Sequence, residues 1–149
     1  MDAAFASHPD SKSHSGVAMY VGNALVYASS RKQKCMTKSP TEAELVALTD
    51  NLGLVELFEE FVSFITNRPM GIPTIYQDST SVITLVTMGG GIVRTRHLRA
   101  RMNLGKEAIE EKKVAVNHCP APKMRADGLT KTLEGAEYLS FLHWMLSKA

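Results

Sequence analysis

Apolar and polar positions along the 149 residues mark a succession of short elements. Asp2 to Ala6 reads as the tail of a strand, and a loop rich in His, Ser and Lys carries the chain on through Ser15. Gly16 to Val21 and Ala24 to Ser30 are β-rich stretches separated by Gly22-Asn23, a connection of the kind that closes antiparallel hairpins. A basic loop with Arg31, Lys32 and Lys34 then reaches Ser39-Pro40-Thr41-Glu42. Ser39 suits an N-cap, Pro40 the first helical position and Glu42 the reciprocal half of a capping box, so a helix starts here. Leu45, Leu48, Leu52, Val55, Val62 and Ile65 follow at steps of three, four or seven, which predicts one long helix with a single buried stripe, ending near Asn67. Gly53 is a weak point within it, costing about 1 kcal/mol relative to alanine.

Pro69, Gly71 and Pro73 interrupt the pattern, and Thr74 to Gln77 reads as a short buried strand ending at Asp78. A helix from Ser79 to Thr87 follows directly. The succession of strand, crossover helix and strand predicts parallel pairing between the first strand and this one. Gly89-Gly90-Gly91 lacks the Gly-Lys-Ser/Thr of a phosphate-binding loop and reads as a flexible connection. Thr95 to Lys113 predicts a second sizeable helix, and Val114 to Cys119 a strand ended by Pro120-Ala121-Pro122. Asp127 opens a short helical turn. Leu133 to Ser147 then forms a terminal amphipathic helix with Leu139, Leu142, Trp144 and Met145 available for packing.

Composition narrows the class. A chain of this length can bury ~70% of its unfolded surface in one core, so residues 1–149 are expected to form a single domain. No apolar run approaches the ~20 residues that span a bilayer, and no charged-then-apolar leader opens the chain. An intracellular, cytoplasmic protein without a membrane partner is the expectation. Cys35 and Cys119 are too few for a disulfide framework and lack the spacing of a zinc module, so free thiols are expected. The formal charge of +2 carries little as a total, but Arg94, Arg96, His97, Arg99, Arg101 and Lys106 form a basic run with no acid among them.

Four acids sit where strands end or helices begin: Asp2, Glu44, Asp78 and Asp127. Carboxylates in such places can converge outside a sheet, and converging carboxylates repel unless a cation lies between them. Each also has an ordinary reading. Asp78 and Asp127 can cap the turns that follow them, Glu44 can be a solvated helix residue, and Asp2 a frayed terminal acid. Glu42 is set apart from Glu44 by its capping role, which leaves Glu44 as the better ligand candidate. His118 and Cys119 are adjacent on a strand and point to opposite faces, which argues against zinc. No Gly-x-Ser-x-Gly turn supports a serine hydrolase.

Local sequence then carries a resemblance. Thr41-Glu42-Ala43-Glu44-Leu45-Val46-Ala47-Leu48, Tyr76-Gln77-Asp78-Ser79, Arg94-Thr95-Arg96-His97 and Ala126-Asp127-Gly128-Leu129-Thr130-Lys131 resemble, in order, successive blocks of the ribonuclease H domain that closes copia-type LTR retrotransposon polyproteins. Asp2-Ala3-Ala4-Phe5, His8-Pro9-Asp10 and Ser13-His14-Ser15-Gly16 resemble that domain's opening. The resemblance implies a ribonuclease H-like α/β fold, a five-stranded mixed sheet flanked by helices, here with a shortened first strand.

The activity it implies is endonucleolytic cleavage of the RNA strand of an RNA·DNA hybrid. Asp2, Glu44, Asp78 and Asp127 would be the catalytic, metal-binding carboxylates for two Mg²⁺ ions about 4 Å apart, with Mn²⁺ a substitute. Asp2 and Asp78 would be central ligands, Glu44 would also orient the RNA sugar, and Asp127 would hold its metal more loosely. Arg94, Arg96, His97, Arg99 and Lys131 are candidate phosphate contacts, which would make binding salt-dependent. Ser39 and Thr41 are candidates to position the sugar backbone, with capping the competing role of Ser39. The loop histidine that bacterial and retroviral relatives carry before the last aspartate has no equivalent here, and His118 reads as structural. The implied partners are the hybrid and an upstream reverse transcriptase domain of the same polyprotein. The alternative is a catalytically inactive module of the same fold that binds nucleic acid or protein; an integrase or transposase nuclease of that superfold fits the early-helix glutamate and the Ala126-Asp127 block less well.

Overall fold

The computed structural model describes residues 1–88 and 96–146. Gly89-Gly90-Gly91 and Arg94 lie outside them, as does the side chain of His97. Among the described residues the strands are β1 (Asp2–Ala4), β2 (His14–Val21), β3 (Ala24–Lys32), β4 (Thr74–Gln77) and β5 (Ala115–His118). The helices are α1 (Pro40–Thr49), α2 (Leu52–Thr66), α3 (Thr80–Met88), α4 (Arg96–Glu110) and α5 (Gly135–Leu146). This is a mixed α/β fold. No described helix is long and apolar enough to cross a membrane.

The hairpin forms where the pattern puts it. Val21 faces Ala24 across the turn, and Gly22 takes a φ of +57°, a left-handed conformation that glycine adopts without steric cost. The ladder is longer than predicted, because His14 and Ser15 also pair with Lys32 and Arg31.

The strands form two sheets rather than one. β1, β2 and β3 make an antiparallel sheet, while β4 and β5 pair in parallel from Thr74 opposite Ala115 to Gln77 opposite His118. The predicted parallel ladder between β1 and β4 is replaced by one bond, from the Met1 amino group to the Tyr76 carbonyl at 3.0 Å. The reason lies in β1 itself. It is three residues long, and on the edge away from β2 Ala3 gives its N–H to Glu44 Oε1 at 3.0 Å instead of to β4.

The predicted long helix is likewise two. Asp50 closes α1 by donating its N–H to the Val46 carbonyl at 3.0 Å, and Asn51 leaves helical geometry while its side-chain amide donates to the Ala47 carbonyl at 2.6 Å. Short polar side chains that compete with the helix for backbone groups thus make the break, not Gly53. At the other end Ser39 Oγ accepts from the Glu42 N–H at 3.1 Å, as the capping motif predicts. The reciprocal bond lands one residue early, from the Lys38 N–H to Glu42 Oε2 at 2.8 Å.

α1 is buried on every side from Glu42 to Thr49, because β1 and β2 cover one flank and α3 and α4 the other. Leu45, Leu48, Leu52 and Val55 join Val17, Ile75, Val82, Val86 and Val114 in the core. The predicted stripe gives out beyond Val55: Val62 is half-buried and Ile65 exposed. The Phe58 ring meets Tyr27 at 5.7 Å, but Leu57, Phe61, Phe64 and Ile65 face solvent. In α5 Met145 is buried and Tyr20 Oη donates to its carbonyl at 3.0 Å, while Leu139, predicted to pack, is exposed. His118, read as structural, is exposed at the end of β5.

Candidate metal centre

Three of the four singled-out acids meet. Asp2 opens β1, Glu44 sits one turn into α1, and Asp78 directly follows β4, and a carboxylate oxygen from each lies within 4.8 Å of the others. Each is delivered by a separate piece of structure. Asp2 is placed by its pairing opposite Gly16, Glu44 by the buried α1, and Asp78 by the parallel β4–β5 ladder.

Electrostatics at this point are unfavourable to bare carboxylates. Burial pushes the Glu44 carboxyl up to about 7, and the charges of Asp2 and Asp78 push the same way against hydrogen bonds from Gln77 and Ala3. Burial also raises Asp2, with Asp127 and Asp78 adding to it and the Thr130 hydroxyl opposing. Carboxylates that hold their protons this tightly stand to gain from a cation that replaces those protons.

Asp127 occupies a short 3₁₀ turn, Asp127–Leu129, whose field reaches Asp2. Its carboxylate pairs with Lys131 at 2.6 Å, and it is not part of the cluster that Asp2, Glu44 and Asp78 form. Lys131, predicted as a phosphate contact, is in turn raised by that hydrogen bond. Thr130 ties the turn to the cluster, its hydroxyl lying between the Asp2 carboxylate and the Asp127 carbonyl oxygen.

This docking depends on Gly16. A Cβ there would come 2.7 Å from the Ala126 carbonyl oxygen and 2.9 Å from both Leu129 Cβ and Thr130 Cγ2. A bare Cα on β2 is therefore what lets the Asp127 turn settle beside Asp2. Ser30 adds a second tie by donating to the Leu129 carbonyl at 2.7 Å.

The remaining predicted residues divide. Ser39 is committed to its cap, and Thr41 is half-buried in the first turn of the same helix as Glu44. Arg96 and Arg99 are exposed on α4. Arg101, part of the basic run, turns away to Asp50 and to Thr49 Oγ1 at 2.8 Å, which removes it from a continuous positive face. Gln77, Thr130 and Gly16 were not singled out from the sequence, since glutamines, threonines and glycines are common; the blocks Tyr76-Gln77-Asp78-Ser79 and Ala126 to Lys131 held the first two in plain view.

The donor set suits a hard cation. Oxygen ligands alone, with two of the three acids buried, match Mg²⁺ or Mn²⁺ and offer neither thiolate nor imidazole to zinc. Gln77, whose Nε2 donates to Glu44, leaves its own buried Oε1 without a hydrogen-bond partner. No family model, no curated protein and no solved structure matches this chain.

Proposed function

We propose that the chain is a ribonuclease H-like nuclease that cleaves the RNA strand of an RNA·DNA hybrid. The observation that carries this reading is the meeting of Asp2, Glu44 and Asp78, from β1, α1 and the end of β4, within 4.8 Å. The order of hairpin, buried helix, strand, paired helices, strand and closing helix supports it, as do the ordered sequence blocks that resemble the copia-type domain.

Asp2, Glu44 and Asp78 would hold divalent Mg²⁺, for which Mn²⁺ would substitute. The ions supply Lewis-acid activation of water and stabilise the departing 3′-oxygen. The chain's own part is to hold the carboxylates rigid: Glu44 through Ala3 and Gln77, Asp2 through Thr130, Asp78 through its strand. Asp127 would join on release from Lys131. Arg96 and Arg99 on α4 would take up phosphates of the hybrid, with Thr41 close to Glu44 on α1 toward the sugar backbone. An upstream reverse transcriptase domain in one polyprotein is the partner this reading implies.

One observation favours the non-catalytic alternative. The Asp127–Lys131 pair takes up the fourth acid with a cation of the chain's own, as suits a scaffold that binds hybrid without cutting it. Cleavage of a labelled RNA·DNA hybrid in Mg²⁺ decides between them. Wild type should give 3′-hydroxyl and 5′-phosphate products, and Asp78→Asn should lose at least 100-fold in rate, on the order of 3 kcal/mol of transition-state stabilisation. Equal product from both would reject catalysis at this site, and hybrid binding without cleavage in either would support the module.

A further inference from the structure

We infer that Gln77 is a positioning residue for this centre: its side-chain amide sets the direction of the Glu44 carboxylate and thereby the affinity for a divalent cation. The inference rests on the metal reading above and concerns a residue that does not itself bind the ion.

Gln77 ends β4 immediately before Asp78 and is 1% exposed. Its backbone is fixed, since its carbonyl accepts from the Cys119 N–H at 2.9 Å at the end of the parallel ladder. From there Nε2 donates to Glu44 Oε2 at 2.9 Å, while the Ala3 N–H donates to Glu44 Oε1 at 3.0 Å. One donor on each oxygen fixes the carboxylate plane, yet each oxygen keeps a lone pair for another partner. Hydrogen bonds that orient a ligand in this way tune a metal site as strongly as many direct contacts do. Ionised Glu44 favours this amide orientation, because the reverse would set a carbonyl oxygen against a carboxylate.

The arrangement is poor for stability alone. Gln77 Oε1 is buried without a hydrogen-bond partner, and an apolar side chain of the same shape would avoid that desolvation. Gln33 provides the contrast. It too is buried with an unpartnered Oε1, but its Nε2 joins Ser15 Oγ at 2.8 Å to the Ala43 carbonyl at 2.9 Å, clamping β2 to the start of α1, so the two glutamines differ in what their amides hold. Gln33 thus serves the fold, whereas the Gln77 amide directs its hydrogen bond to an ionisable ligand.

The test is Mn²⁺ binding to the full chain, followed by the free-ion electron paramagnetic resonance signal, with thermal denaturation in EDTA alongside. Gln77→Met should weaken Mn²⁺ binding roughly tenfold to hundredfold. Gln77→Asn keeps an amide but withdraws it by one methylene, and it should repeat the loss even if the methionine variant folds poorly. Gln33→Met should lower Tm with Mn²⁺ affinity unchanged. In a Glu44→Gln background either Gln77 change should add nothing. Unchanged affinity in both Gln77 variants, or a loss that persists undiminished without Glu44, would overturn the inference. Wild-type protein that fails to take up Mn²⁺ would instead bring down the metal reading itself.

Discussion

At Glu44 the protein holds a carboxyl that ionises at about 7 instead of the ordinary 4.5. Between these values the unfolded chain releases this proton while the native fold keeps it, so the native state binds more protons and stability falls as pH rises. The window runs from about pH 4.5 to 7, and the full cost, on the order of 3 kcal/mol, is present above it. Urea denaturation in EDTA should therefore show weaker protein at pH 8 than at pH 5. Glu44→Gln should reduce that difference, leaving the smaller part due to Asp2, and millimolar Mg²⁺ at pH 8 should restore stability by binding the native state alone; a wild-type profile without the slope would contradict the burial of this acid. How much of such chemistry the sequence discloses differs residue by residue. Asp2, Glu44 and Asp78 are legible because carboxylates at the ends of elements stand out, and the structure brings them together. Asp127 is legible as a neighbour, but its capture by Lys131 depends on the turn geometry of the three intervening residues. Gln77 and Gly16 act only through what approaches them in three dimensions, and nothing in their local sequence announces that approach.

Among the elements, α4 shows why a charge pattern is a weak guide to a binding face. Its basic run divides between exposed Arg96 and Arg99 and an Arg101 that braces the end of α1 through Asp50 and Thr49. The two roles predict opposite results. Arg96→Ala and Arg99→Ala should each weaken hybrid binding and reduce the salt slope by about one, with stability little changed. Arg101→Ala should leave the slope alone and cost on the order of 1 kcal/mol, modest because the ion pair is partly exposed. Fluorescence anisotropy over a salt series and urea melts separate the cases, and a salt slope that follows Arg101 would refute the division. The α1 start was readable from Ser39-Pro40-Thr41-Glu42 because capping is local. Its end was not. Apolar spacing continues smoothly from Leu48 to Leu52 and masks the break, which Asn51 makes by turning its side-chain amide onto the Ala47 carbonyl, a competition that periodicity does not register.

Across the whole molecule, the order of strands and helices follows from periodicity and turn chemistry, while the partition into two sheets does not. Strand pairing is decided by which backbone group each N–H finds, and the Ala3 N–H finds Glu44. The two sheets are therefore expected to open independently: in native-state hydrogen exchange the amides of β4 and β5 should protect as one group and those of β2 and β3 as another. Identical opening free energies for both groups would show that they behave as a single unit. The solvent-facing side of α2 has a more practical consequence. Leu57, Phe61, Phe64 and Ile65 lie one helical turn apart on a common face that the described residues leave exposed, and exposed clusters of this kind make molecules adhere to one another and to hydrophobic resins. Purification at high concentration or high ammonium sulfate will thus favour clumping, and a polar replacement at Phe64, 84% exposed and remote from the carboxylate cluster in sequence, is the simplest remedy for handling the protein.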